Sequence, residues 1–177
     1  MSTKLAMKKK QRGFTLMEVL VATVVLLTGI VAVAQLVPVA ITANSGNRRD
    51  SSASVIAQRE LSQMLEQPLT STQFTDALGH VCNLGNPASP GVTVGSPVVI
   101  IANRPAIDFS VAQVANYSFT TVADPEDPYR ARYDVRWAVI TGGNGGSTSS
   151  RRFIIGARQR NARSYVMPLT LDAMVQR

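Results

Sequence analysis

Residues 14–34 read FTLMEVLVATVVLLTGIVAVA and stand directly behind a basic segment, MSTKLAMKKKQRG. This almost wholly apolar run limits what the chain can become. As a helix it would be about 31 Å long at about 1.5 Å per residue, close to the bilayer hydrocarbon thickness of about 30 Å. Apolar character continues through Leu36, Val37 and Val39 to Ile41. Lys4, Lys8, Lys9, Lys10 and Arg12 all precede the run. The basic cluster is therefore expected to stay cytoplasmic, with the rest of the chain facing outward.

A secretory signal peptide is the plain alternative, and two features oppose it. A signal core has about 7–15 apolar residues and ends in a small-residue cleavage site. Here the run is longer, and the small residue, Gly13, comes before it. The second feature is Glu18. A carboxylate at the centre of a membrane helix costs about 2.5–3.5 kcal/mol, so one that is kept in such a helix needs a partner or a function.

The order Lys8-Lys9-Lys10-Gln11-Arg12-Gly13-Phe14-Thr15-Leu16-Met17-Glu18 resembles the processing site of type IV pilins and type II secretion pseudopilins. The resemblance implies cleavage between Gly13 and Phe14 by a prepilin peptidase that also N-methylates Phe14. It implies that Glu18, fifth in the mature chain, is an assembly residue that pairs with the N-terminal ammonium of a neighbouring subunit. Each of those charges is costly in a membrane alone, so pairing them would fix register.

Composition narrows the function further. The formal net charge of +7 comes largely from the leader. Without the first thirteen residues the balance is 13 Arg against 11 acids, or +2, which is not the profile of a basic nucleic-acid-binding protein. One cysteine, Cys82, leaves no internal disulfide, and one histidine, His80, leaves no multi-histidine metal site. The expectation is no enzyme, no catalytic residue, no metal and no cofactor. His80 and Cys82 are read as a partly buried pair without chemistry. Many type IV major pilins carry a C-terminal disulfide loop, and this chain departs from them there.

Beyond the apolar run, Pro38 is expected to kink or locally open the helix. Residues 44–47, Asn-Ser-Gly-Asn, form a second weak point at the exit from the membrane. Residues 51–67 place Ala53, Ile56, Ala57, Leu61, Met64 and Leu65 at helical spacing, with Arg59, Glu60, Gln63 and Glu66 mostly off that stripe. Pro68 ends the helix. Residues 69–96 have loop composition, with turn signals at Asn86-Pro87 and Ser89-Pro90-Gly91. Strands are predicted over 97–101 and around Tyr117, Phe119 and Thr121. The clearest strand is 129–140, where Tyr129, Ala131, Tyr133, Val135, Trp137 and Val139 alternate with Arg130, Arg132, Asp134 and Arg136. It should pair, odd residue to odd residue, with 151–160, in which Phe153, Ile155 and Ala157 share the core face. Residues 165–171 would add an edge strand, restricted by Pro168.

The even-numbered Arg130, Arg132, Arg136, Arg152, Arg158 and Arg160 are then predicted to share the solvent face. Residues 44–127 carry four Arg and eight acids, net −4, and residues 128–177 nine Arg and two acids, net +7. The expected use is a contact with carboxylates of neighbouring subunits. A polyanion contact is the alternative, opposed by the aromatics lying on the buried side.

The predicted architecture is α+β: a long kinked N-terminal helix, transmembrane in its first half, packed on an antiparallel β-sheet head. The expected organisation is a leader at 1–13, a membrane or filament-core half-helix at 14–43, an amphipathic half-helix at 44–68 and a β-rich head at 69–177. Glu18-Val-Leu-Val-Ala22 and Gly29, followed by Ala53, Ala57, Gln58, Leu61, Met64, Leu65 and Glu66, resemble PilV-type minor pilins and the minor pseudopilin I class. Expected partners are the peptidase/N-methyltransferase, other pilin or pseudopilin subunits, the inner-membrane assembly platform and the bilayer. The expected role is a minor pilin that helps start a type IV pilus or sits at its tip. Its expected location is the bacterial inner membrane, as a single pass with a periplasmic head, and then the filament. A pseudopilin of a secretion system and an adhesion or DNA-uptake subunit are the alternatives.

Overall fold

Helix α1 spans Leu16–Glu66, 51 residues, in a computed structural model that describes residues 13–123, 131–144, 146–160 and 168–176. It begins after Thr15, which caps it, and ends two residues before Pro68, whose ring disfavours helical backbone at the residue before it. The helix continues without a break through Pro38 and through residues 44–47. The chain divides into two compact units, one ending at Ser45 and one beginning at Gly46.

In the first unit the apolar side chains of α1 are exposed all round. The most apolar window has mean hydropathy 2.5 and none of it is buried. Its hydroxyls are satisfied within the helix. Thr23 donates to the Val19 carbonyl at 2.5 Å, Thr28 to Val25 at 2.9 Å and Thr42 to Pro38 at 2.9 Å. A helix surrounded by hydrocarbon needs this internal pairing, because no water is there to supply it.

The second unit holds the last part of α1 and nine described strands: β1 Gln73–Thr75, β2 Val81–Asn83, β3 Thr93–Gly95, β4 Val98–Ile101, β5 Arg104–Ile107, β6 Ser118–Val122, β7 Arg132–Asn144, β8 Ser147–Arg160 and β9 Leu169–Gln176. The main antiparallel sheet runs β3-β7-β8-β9, and β6 also pairs with β7. β3 meets residues 138–140 of β7, and β6 meets residues 132–136. The hairpin β7–β8 pairs odd with odd, as alternation requires: Val135 with Ala157, Trp137 with Ile155 and Val139 with Phe153. The edge strand β9 begins directly after Pro168 and lies further along the chain than predicted. Residues 165–167 are outside the described part.

The odd face of this hairpin packs on α1. Ala53, Ile56, Ala57, Leu61 and Met64 form one core cluster with Tyr133, Val135, Trp137, Val139, Phe153 and Ile155. Trp137 is fully buried, and its indole N–H donates to the Asn83 carbonyl at 2.9 Å. Burial of such side chains stabilises the head by about 1.5–3 kcal/mol each.

Three expectations need correction. The loop-like stretch 69–96 contains β1, β2 and β3, which are three residues each and too short for periodicity to reveal. Glu60, read as off the buried stripe, is fully buried. The even face of the hairpin is not a solvent face at its centre. Asp134 and Arg136 are 2% and 4% exposed, because β5 and the segment after it cover them. Arg152 and Arg158 are half-buried, Arg132 and Arg160 are exposed, and Arg130 lies outside the described residues.

The covering layer has its own small core of Ile107, Phe109, Ala138 and Ile154. Gly156 permits it, since a Cβ there would stand 2.9 Å from the Phe109 ring and 3.0 Å from Ile107. The β4–β5 hairpin turns on Ala102 and Asn103, both at positive φ (48° and 64°), the geometry of a tight two-residue turn.

Candidate processing and assembly segment

Gly13, Phe14 and Thr15 precede the helix and are exposed, Phe14 at 81%. A Cβ added to Gly13 would meet no described atom within 4 Å, and Gly13 is not among the positive-φ glycines. Neither space nor backbone conformation within the described chain asks for glycine here.

Thr15 is the N-cap. Its carbonyl accepts from the Glu18 and Val19 amides at 3.0 and 3.2 Å, and its Oγ1 accepts from the Glu18 amide at 3.3 Å. The bond from Val19 is the first regular turn of the helix, and the Glu18 amide, one of those left without a helical partner at a helix start, is satisfied by the cap. The pattern Thr-x-x-Glu across 15–18 is the sequence signature of such a start, and it was available in the sequence. Glu18 falls in the first turn, where the helix dipole favours an acid. Its side chain is exposed and forms no ion pair among the described residues. A carboxylate without an ion-pair partner among the described residues thus sits among apolar side chains, four residues past Phe14.

In the head, the arginines expected to act together are divided among different jobs. Arg136 chelates Asp134, with Nη2 to Oδ2 at 2.9 Å and Nε to Oδ1 at 3.1 Å, and its Nη1 donates to the Val111 carbonyl at 2.7 Å. Gln113 Nε2 donates to Asp134 at 2.7 Å. Arg136 and Arg158 both lie against the Phe109 ring, 5.0 and 4.8 Å from its centroid. Arg152 pairs with Asp172. Arg132 and Arg160 stand directly opposite one another on β7 and β8, and Arg160 donates to Thr120 Oγ1 at 3.3 Å.

Arg151, not singled out from the sequence, is 1% exposed. Its odd position in β8 puts it on the core face, so parity alone would have found it. Its Nη2 donates to the carbonyls of Leu69 and Ser71 at 2.8 and 3.0 Å, and burial lowers its pKa.

His80 and Cys82 do come together with acids. His80 Nδ1 is 2.7 Å from Asp76 Oδ2, and the imidazole stacks on Phe119 at 4.2 Å between centroids. Asp76 Oδ1 accepts from the Leu78 and His80 amides at 2.9 and 2.7 Å. Buried Glu60 accepts from Arg59 at 2.8 Å through Oε1, while its Oε2 has no partner among the described residues. Burial raises the Glu60 pKa, against the opposing effect of Arg59. Burial, helped by Asp76 and Glu60, pushes the Cys82 thiol up to about 12. No group of three or more metal-ligating side chains occurs among the described residues.

A family model described as the prokaryotic N-terminal methylation motif matches residues 8–34. The chain carries that motif. It spans the basic cluster, Gly13, Phe14 and Glu18, and ends where the unbroken apolar run ends. The methylation motif supports the type IV pilin and pseudopilin class, which is structural, and with the apolar helix it supports membrane anchoring. No curated protein and no solved structure matches the chain.

Proposed function

We propose that the chain is a structural minor pilin, built into a type IV pilus at its start or tip after cleavage between Gly13 and Phe14 and methylation of Phe14. The observation that carries this reading is the methylation motif running straight into an apolar helix exposed on every side. Such a helix requires lipid first and other apolar helices later, which is the itinerary of a filament subunit. The leader would remain cytoplasmic and the head periplasmic, with the inner-membrane assembly platform as the further partner.

Glu18 is the proposed register residue, pairing with the new ammonium of a neighbouring subunit, and Pro38 the proposed flexing point. Arg132 and Arg160, with Arg158 two residues along β8 and Arg152 further along the same strand, are the proposed contact to carboxylates of neighbouring heads. Arg136 is withdrawn from that surface by its burial.

The test is incorporation. Glu18→Ala should still be cleaved, remain in membranes and disappear from sheared pili. Removing one partner of a buried pair leaves the other charge uncompensated, a loss of about 3–5 kcal/mol. Wild-type levels of Glu18→Ala in sheared pili would refute the pairing. Loss of protein secretion with intact pili on deletion of the chain would favour the pseudopilin reading instead.

A further inference from the structure

We infer that Thr15 is a positioning residue for processing: as the N-cap of α1 it holds the helix start at Leu16 and keeps the bond between Gly13 and Phe14 in non-helical, accessible backbone. The inference rests on the proposed cleavage at that bond and adds to it a residue and a physical role.

Hydrolysis there adds water across the Gly13–Phe14 amide, leaving a carboxylate on Gly13 and an ammonium on Phe14. A peptidase has to reach both sides of that amide. Helical backbone hides them, since the amides and carbonyls are turned along the helix axis and flanked by side chains, and it must open locally before cleavage. In the structure Gly13, Phe14 and Thr15 are all outside the helix, and Phe14 is 81% exposed.

What stops the helix from growing backwards is Thr15. Its Oγ1 accepts from the Glu18 amide at 3.3 Å while its carbonyl accepts from the Val19 amide at 3.2 Å. Without the hydroxyl, the next residue upstream with comparable capping ability is Gly13 itself, because glycine caps about as well as threonine and far better than alanine or valine. The helix would then restart at Phe14, and the scissile bond would become its first peptide. No other residue from 13 to 17 has a side chain that can cap, as the rest are Gly, Phe, Leu and Met.

Shape and capping can be separated at this position. Thr15→Val keeps the shape and loses the acceptor. Thr15→Ser and Thr15→Asn keep an acceptor, and Asn has a different shape. The full chain, expressed with its peptidase, is followed by pulse-chase from precursor to mature form, with N-terminal mass analysis of the product. Thr15→Val should be processed about two- to thirtyfold more slowly than wild type, the range corresponding to loss of an N-cap. Ser and Asn should restore the rate. Val at the wild-type rate, or Asn no faster than Val, overturns the inference while leaving the cleavage site intact. A wild-type product that does not begin at Phe14 overturns the processing reading, and this inference with it.

Discussion

Arg136 turns back along its own strand to chelate Asp134, two residues away, and both are buried beneath the segment that carries Phe109 and Val111. On an ordinary two-sided sheet these residues would face water. Here they form a sealed pair, with Gln113 and the Val111 carbonyl taking up further hydrogen-bonding positions. The pair ties the covering layer to β7, and so it decides which arginines remain free to meet another molecule.

Arg136→Ala should destabilise the head by about 3–5 kcal/mol, because it strands the Asp134 carboxylate in a buried site. Arg132→Ala, at an exposed position, should change stability by less than about 0.5 kcal/mol. Denaturation of the full chain in detergent, followed by fluorescence of its single tryptophan, Trp137, reads both variants, since Trp137 is fully buried. Equal effects from the two arginines would contradict the division of roles.

Glu60 makes stability depend on pH. Its folded-state pKa is raised above the usual 4.5, with burial the largest cause. A raised value means that the folded state binds the proton more tightly than the unfolded chain. The resulting stabilisation is fully present below 4.5 and is lost as pH rises through the folded-state value. Glu60→Gln, which keeps the shape and removes the buried charge, should therefore be more stable than wild type at neutral pH. The gap should close on acidification to pH 4.5. Denaturation midpoints across that range check it, and a gap that widens in acid would be the wrong sign.

Cys82 should resist modification in the folded chain. It is fully buried, and its thiol is pushed up to about 12, so little thiolate exists to attack a reagent at neutral pH. Alkylation by iodoacetamide should be slow in detergent and rapid in denaturant. The labelling rate should track the unfolding of the head in Arg136→Ala. Fast labelling of the folded wild type would mean that the Glu60, Asp76 and Cys82 region opens to solvent.

The two periodicities made most of this architecture readable from sequence. Helical spacing picked out Ala53, Ile56, Ala57, Leu61 and Met64, and alternation picked out Tyr133, Val135, Trp137 and Val139. All of them are in the core. The same spacing contained Glu60, between Ala57 and Met64, and the same parity contained Arg151. A charge at either position reads as solvent-facing from residue type alone, although both side chains are buried. What alternation could not convey was the second layer. Whether Arg136 meets water depends on residues 25 to 28 positions away, at Asp108 and Val111, whose place is set by tertiary packing. At the N-terminus the order of residue types carried the reading, because a processing site is recognised as local sequence. The capping role of Thr15 was written there too, in its spacing from Glu18.

The N-terminus of the mature protein tests the central claim most directly. The chain is recovered from membranes or sheared filaments, and its N-terminal peptide is sequenced by mass spectrometry. The account predicts a mature chain that begins at Phe14 and carries a methyl group on the Phe14 nitrogen, with Gly13→Val accumulating as the uncut precursor while its head remains folded. A mature chain that begins at any other residue, or a Gly13→Val variant processed like wild type, would contradict it.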